Sequence, residues 1–255
     1  MTSNLSDAQI LDHPAVSGCY LFPQDRCVRN PWNVEVSGAT LACCRRIVDP
    51  AALTLVHFHG NGEAVADYIP EWADALAAMR INSLFVEYRE YGDSTGCAQL
   101  VAMLGDGEAV LEAAGLAPEN VVAFGRSIGS LYAIELAARR PQLAGLVLES
   151  GIADPAERFL KYADFSQAPF TRDDVRAAAH RCFHHERKLA SYRGPLLVLH
   201  ADHDHLVDAS HAERNFRWCG SDRKKLVRFP VGDHNSIHHY NYDEYQRELR
   251  DFLQR

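Results

Sequence analysis

At 255 residues the chain is long enough for one sizeable domain with a packed core. Apolar residues make up 47% of it and charged residues 24%, the balance of an ordinary soluble globular protein, and 26 Lys and Arg against 34 Asp and Glu leave a formal charge of −8. A net negative surface with no run of like charges argues against nucleic acid or anionic lipid as the main partner, and no apolar stretch reaches the roughly 18 residues a stable membrane insertion needs.

The chain starts with "MTSNLSDAQILDHPAVSG", which has no basic region followed by an apolar run, and Thr2 stands where N-myristoylation needs glycine. The expected location is therefore cytoplasmic. Next come "GCYLFP" (18–23) and "ATLACCRRI" (39–47), which read as strands joined without a helix and predict an antiparallel edge. Six short, nearly continuous apolar runs follow: "LTLVHF" (53–58), "SLFVEY" (83–88), "NVVAFG" (120–125), "GLVLES" (145–150), "PLLVLH" (195–200) and "KLVRFP" (225–230). That is the pattern of strands covered on both faces. Between them lie helix-period stretches, "YIPEWADALAAMR", "LVAMLGDGEAVLEAAG", "SLYAIELAARR" and "ASHAERNFRWCG", and "NYDEYQRELRDFLQR" ends the chain. The alternation predicts an α/β fold with a doubly wound, mostly parallel sheet.

One connection is too long for a single crossover helix. Residues 151–194 carry Phe159, Tyr162, Phe165, Phe170 and Phe183, too apolar for a disordered linker. They predict a helical cap insertion, within a single domain spanning 1–255, over the edge where ligands bind in open α/β sheets. Its aromatics favour an apolar acyl or alkyl group. Its eight Lys or Arg against six Asp or Glu favour tolerance of an anionic substrate.

The stretch "AFGRSIGS" places Ser127 between two glycines where an apolar strand meets a helix. A serine hydroxyl becomes a good nucleophile only when a base takes its proton and the developing oxyanion is hydrogen-bonded. A sharp strand-to-helix turn meets both needs, and Gly125 and Gly129 let the backbones crowd around it. "HFHGNGE" (57–63) follows an earlier strand, so the amides of Asn61 and Ile128 are the expected oxyanion donors. After a late strand, "LLVLHADHDHLVD" supplies the acid: Asp204 is favoured, Asp202 is its main competitor, and Asp208 and Glu149 are further candidates. His234, in the loop "RFPVGDHNSIHHY" after the last strand, completes the order Ser127, Asp204, His234. The set points to hydrolysis of an ester or thioester through an acyl-enzyme. An amidase, peptidase or acyltransferase shares the same residues, and a non-catalytic binding protein is the alternative of another class.

No metal and no cofactor is expected. His200, His203 and His205 lack a metal-ligand spacing and read as solvated loop residues, His180, His184 and His185 as a polar helix face, and His57 and His59 as packing beside the Asn61 loop. The seven cysteines, an odd number without C-x-x-C spacing, read as reduced thiols. The partner expected is a small-molecule ester or acyl substrate.

Together these motifs resemble the α/β-hydrolase superfamily, and within it the serine hydrolases whose loop reads H-G-N-G, here His59 to Gly62. That branch includes the protein depalmitoylases and also carries a Y-R-G-Y-G-x-S-x-G loop, here "YREYGDSTG", with Glu90 in place of a glycine. The resemblance covers about residues 50–255 and implies Ser127 as nucleophile, Asp204 as acid and His234 as base. Two departures stand out: Ala201 replaces glycine in the turn before the acid, and Cys19 and Cys27 form no lipidation cluster. Membrane thioester substrates are therefore not carried over from the depalmitoylases.

Overall fold

The computed structural model describes residues 5–254. The expectations about Thr2 and the other first residues, and the outer limits of the 1–255 domain, lie outside them. Eight strands form one sheet: β1 (Trp32–Val36), β2 (Ala39–Arg46), β3 (Thr54–Phe58), β4 (Asn82–Val86), β5 (Val121–Arg126), β6 (Gly145–Glu149), β7 (Leu196–Ala201) and β8 (Lys224–Phe229). Their order across the sheet is β1-β2-β4-β3-β5-β6-β7-β8. β1 and β2 pair antiparallel, as does β2 with β4, and every other pairing is parallel.

Ten α-helices surround the sheet: α1 (Asp7–Leu11), α2 (Glu71–Ala78), α3 (Asp106–Ala114), α4 (Gly129–Arg139), α5 (Pro155–Tyr162), α6 (Arg172–Cys182), α7 (His185–Ser191), α8 (Ser210–Trp218), α9 (Ile237–Tyr240) and α10 (Tyr242–Leu253), among the described residues. The central strands β3 to β7 are buried along their length apart from Arg126, which is why their sequences read as unbroken apolar runs. Two apolar clusters sandwich the sheet. One contains Val56, Ala123, Leu131 and Leu148, and the other Phe85, Phe124, Leu197 and Phe252. Burying one side chain the size of Phe124 stabilises the fold by about 2–3 kcal/mol.

The antiparallel edge exists, but residues 18–23 are not part of it. A π-helix at Pro14–Gly18 continues helically through Tyr20, and β1 is formed instead by Trp32–Val36. The competing contacts are partly local and partly distant: Pro14 begins the turn, the buried Ser17 hydroxyl donates to the Leu11 carbonyl (2.7 Å), and the Phe22 amide donates to Asn61 Oδ1 (2.9 Å) instead of to a strand. Residues 151–194 do form three helices, α5 to α7, with different surroundings. α5 packs on α6, α6 on α1, and α7 between α4 and α8 in the layer flanking the sheet. Among the described residues no helix is long and apolar enough to cross a membrane. All seven cysteines are free.

Candidate active site

β5 reaches α4 through a turn that only small residues allow. A Cβ on Gly129 would sit 2.1 Å from the Phe58 carbonyl oxygen and 2.8 Å from that of His59, and one on Gly125 would lie 2.6 Å from backbone atoms of Gly129 and Ser130. The end of β3 and the start of α4 are thus in backbone contact, and Ser127 is left at the apex with φ 51°. That left-handed backbone costs an ordinary residue about 1–2 kcal/mol. Local hydrogen bonds hold it: the Ser127 amide donates to the Glu149 carbonyl (2.9 Å), and the Ser130 amide and hydroxyl donate to the Ser127 carbonyl (3.1 and 2.6 Å).

At this apex the hydroxyl meets a loop from the far end of the chain. Ser127 Oγ lies 2.9 Å from His234 Nε2, and His234 Nδ1 lies 2.7 Å from Asp204 Oδ2. All three residues are buried. Asp204 Oδ1 accepts the amides of Leu206 (2.9 Å) and Val207 (2.7 Å), which fixes the carboxylate's orientation. Burial works to raise the Asp204 pKa, but the hydrogen bond and charge of His234 together with the Val207 amide outweigh it and hold the group below its ordinary value. With an ionised carboxylate on Nδ1, the tautomer that fits both contacts carries its proton there and leaves Nε2 to accept from the serine hydroxyl.

The competing acids are engaged elsewhere. Asp202 accepts from Arg228 (2.6 Å) at the surface, Asp208 accepts the Ser210 amide (3.0 Å), and Glu149 pairs with Arg126 (3.0 Å). In the loop after β3, the Asn61 side chain is anchored at both ends: Nδ2 donates to the Tyr20 carbonyl (2.6 Å), and Oδ1 accepts from the Phe22 amide (2.9 Å) and the Tyr91 hydroxyl (3.1 Å). These bonds fix the loop. Among the described residues the amides of Asn61 and Ile128 donate to no other group. Ser127, His234 and Asn61 line one cavity of 180 Å³ with Tyr20, Phe22, Arg126, Arg158, Tyr162, Leu206 and Asn235.

Similar proteins were found by sequence and by fold. No protein-family model matches the chain. Protein bem46 of Schizosaccharomyces pombe is 28% identical over 214 residues, 78% of this chain and 67% of its own length. Human alpha/beta hydrolase domain-containing protein 17B is 26% identical over 221 residues, 85% and 72% of the two chains. Among solved structures, an esterase of Pyrococcus furiosus superimposes with a TM-score of 0.69 at 18% identity, covering 91% of this chain and 98% of its own. Mouse alpha/beta hydrolase domain-containing protein 10 does so at 0.70 and 14%, covering 89% and 99%. The chain has the α/β-hydrolase fold, and its relatives by sequence include proteins named for that fold.

Some features of the site follow from no motif in the sequence. Arg126, directly before Ser127, is largely buried and bridges Glu63 of the loop after β3 and Glu149 at the end of β6, while its Nη2 donates to the His234 carbonyl (2.9 Å) and Asn235 Oδ1 (3.2 Å). Burial alone would lower its pKa, and the carboxylates of Glu63 and Glu149 more than restore the charged form. The Tyr68 hydroxyl donates to Glu63 (2.5 Å) and that of Tyr245 to Glu149. Tyr20 and Phe22 come from the first fifty residues, outside the stretch the family resemblance covers. Of the insertion only α5 reaches the cavity, through Arg158 and Tyr162; Phe159 and Phe183 instead meet edge to face in the helical packing (5.4 Å).

Several histidine expectations are corrected. His200 is fully buried, its Nε2 2.9 Å from the Val207 carbonyl, and His185 is buried with Nδ1 2.9 Å from the Ile152 carbonyl. His203, His205, His180 and His184 are exposed. His59 packs under the loop with Nε2 2.7 Å from Glu87, and His57 stacks among Phe124, Tyr68 and Trp72. No group of three His, Cys, Asp or Glu stands together as a metal would need among the described residues. The "YREYGDSTG" loop lines no part of the cavity. Its Glu90 holds φ 69° where the related loop carries glycine, and its carboxylate accepts the Ala98 amide (2.9 Å).

Proposed function

We propose that the protein is a serine hydrolase that cleaves a carboxylic ester or thioester through an acyl-enzyme on Ser127. The observation that carries this reading is the unbroken contact Ser127 Oγ, His234, Asp204, with its base-to-nucleophile distance of 2.9 Å and its acid-to-base distance of 2.7 Å. His234 Nε2 takes the hydroxyl proton as Oγ bonds to the substrate carbonyl carbon. The amides of Asn61 and Ile128 hold the oxyanion, and His234 returns the proton to the leaving oxygen or sulfur as that bond breaks. Water then attacks the acyl-enzyme by the same route and restores Ser127. Asp204 holds the imidazole in the tautomer that both halves require.

The cavity supports a small acyl group. Its 180 Å³ falls below the roughly 300–1,000 Å³ of pockets that enclose drug-sized ligands. The test is turnover of p-nitrophenyl acetate, butyrate, octanoate and palmitate, beside labelling of Ser127 by a fluorophosphonate. Short chains should be hydrolysed best, and Ser127→Ala should abolish both turnover and labelling. Equal rates in mutant and wild type, with no labelling, would sink the reading. A matched p-nitroanilide separates amide from ester cleavage.

A further inference from the structure

The charges around the Ser127 cavity do not balance. Its lining contains two arginines and no acidic side chain. Arg126 is neutralised by Glu63 and Glu149. Arg158 has no carboxylate partner among the described residues: Nη1 donates to the Leu206 carbonyl (2.5 Å), Nη2 donates to the Tyr162 hydroxyl (3.3 Å), and the guanidinium also hydrogen-bonds the Tyr20 hydroxyl. Its neighbour Glu157 faces away, toward Arg214 (3.1 Å) and His211 (3.3 Å). A half-buried guanidinium held in place by neutral acceptors, with an N–H left over, is a site short of one anion.

We propose that Arg158 binds a carboxylate on the substrate's acyl group, so that the enzyme acts on short dicarboxylic half-esters or half-thioesters. This rests on the serine hydrolase reading above. The acyl side is the one concerned because that group stays on Ser127 through both half-reactions and must be held in the cavity, whereas the alcohol or thiol leaves. Size agrees: a cavity of 180 Å³ suits a short acyl group that carries its carboxylate a few carbons from the carbonyl. A planar carboxylate also matches the edge-on geometry of a guanidinium better than a spherical anion does.

The test compares 4-nitrophenyl hydrogen adipate, a short half-ester with a free carboxylate, with its neutral methyl ester. Wild type should show kcat/KM about tenfold or more higher for the carboxylate, as a hydrogen bond between charged groups supplies. In Arg158→Met that ratio should fall to about one, chiefly through KM for the carboxylate, and Arg158→Lys should keep most of it. Because the ratio is read within each protein, a general loss of activity does not imitate the effect, and the wild-type ratio tests the proposal even if a variant fails to fold. A wild-type ratio of one or below, or a ratio that Arg158→Met leaves unchanged, overturns the proposal. If the neutral ester is still hydrolysed in a Ser127-dependent way, the serine hydrolase reading survives that failure. If neither ester is turned over and the fluorophosphonate does not label Ser127, both fall together.

Discussion

The ends of β5 and β6 are neighbouring turns built alike and used differently. Ser127 and Ser150 each follow a parallel strand, each take a left-handed backbone (φ 51° and 47°), and each donate their amide to the next strand, Ser127 to Glu149 and Ser150 to Leu199, at 2.9 Å in both cases. The Ser127 hydroxyl meets His234, whereas the Ser150 hydroxyl is buried without a partner. A strained serine turn at a strand end therefore does not by itself make a nucleophile. What separates the two is the loop after β8, which delivers an imidazole to one position and nothing to the other.

The sharpest way to break this comparison is to remove each hydroxyl. Ser127→Ala should lower kcat by about 10⁴ or more, while Ser150→Ala should stay within a few-fold of wild type and lose no stability, since an unpaired buried hydroxyl is a cost of about 1 kcal/mol or more. Comparable losses in both assays would mean that the two turns are not functionally distinct. Next in size is the acid. Asp204→Asn should cost about 10³–10⁴ in kcat by stabilising the wrong imidazole tautomer, and Asp202→Asn, which loses only a surface pair with Arg228, should cost almost nothing. A larger loss at Asp202 would reverse the assignment.

Glycines beside the two serines sharpen the comparison through stability. Gly129→Ala puts a methyl 2.1 Å from the Phe58 carbonyl oxygen and should destabilise by about 3 kcal/mol or more, whereas the nearest atoms to a methyl on Gly151 are at 3.2–3.3 Å and belong to side chains, so about 1 kcal/mol is expected there. Urea unfolding of the two variants decides it. The smallest effect is a pH slope. Beyond the Ser150 turn, His185 sits against the Ile152 carbonyl, and burial, with Lys188 nearby, pushes its pKa down to about 3. It stays neutral when folded but takes a proton when unfolded below its ordinary value of 6.5. Its contribution is thus intact above that pH and is lost as pH falls toward about 3, at up to about 1.4 kcal/mol per unit. His185→Gln should flatten the stability profile between pH 6 and 4, and an unchanged slope would show that other groups carry it.

The strands were legible because burial on both faces writes itself as continuous apolar runs, and the turn at Ser127 because glycines on both sides of a serine after such a run mark a crowded strand-to-helix turn. Residues 18–23 misled because "CYLF" has strand composition, while the conformation there is decided by Pro14, by the Ser17 hydroxyl and by partners some 40 and 70 positions away, Asn61 and Tyr91. The choice among Asp202, Asp204 and Asp208 depends on which carboxylate faces inward, and spacing within a loop does not encode that. Arg126 and Arg158 carry no motif. Their roles arise from what the fold brings beside them, and a lone arginine in a helix or turn reads the same whether it meets water, a glutamate or a cavity.

Arg126 has one more consequence, for how the molecule breathes. A single guanidinium joins the loop after β3, the end of β6 and the loop that carries His234. Lifting either carboxylate away deprives a largely buried guanidinium of one of its two counter-charges, and lifting the His234 loop takes two acceptors from its Nη2. The three segments, widely separated in sequence, are therefore coupled into one opening unit whose amides should exchange with solvent together and whose melting should be all-or-none.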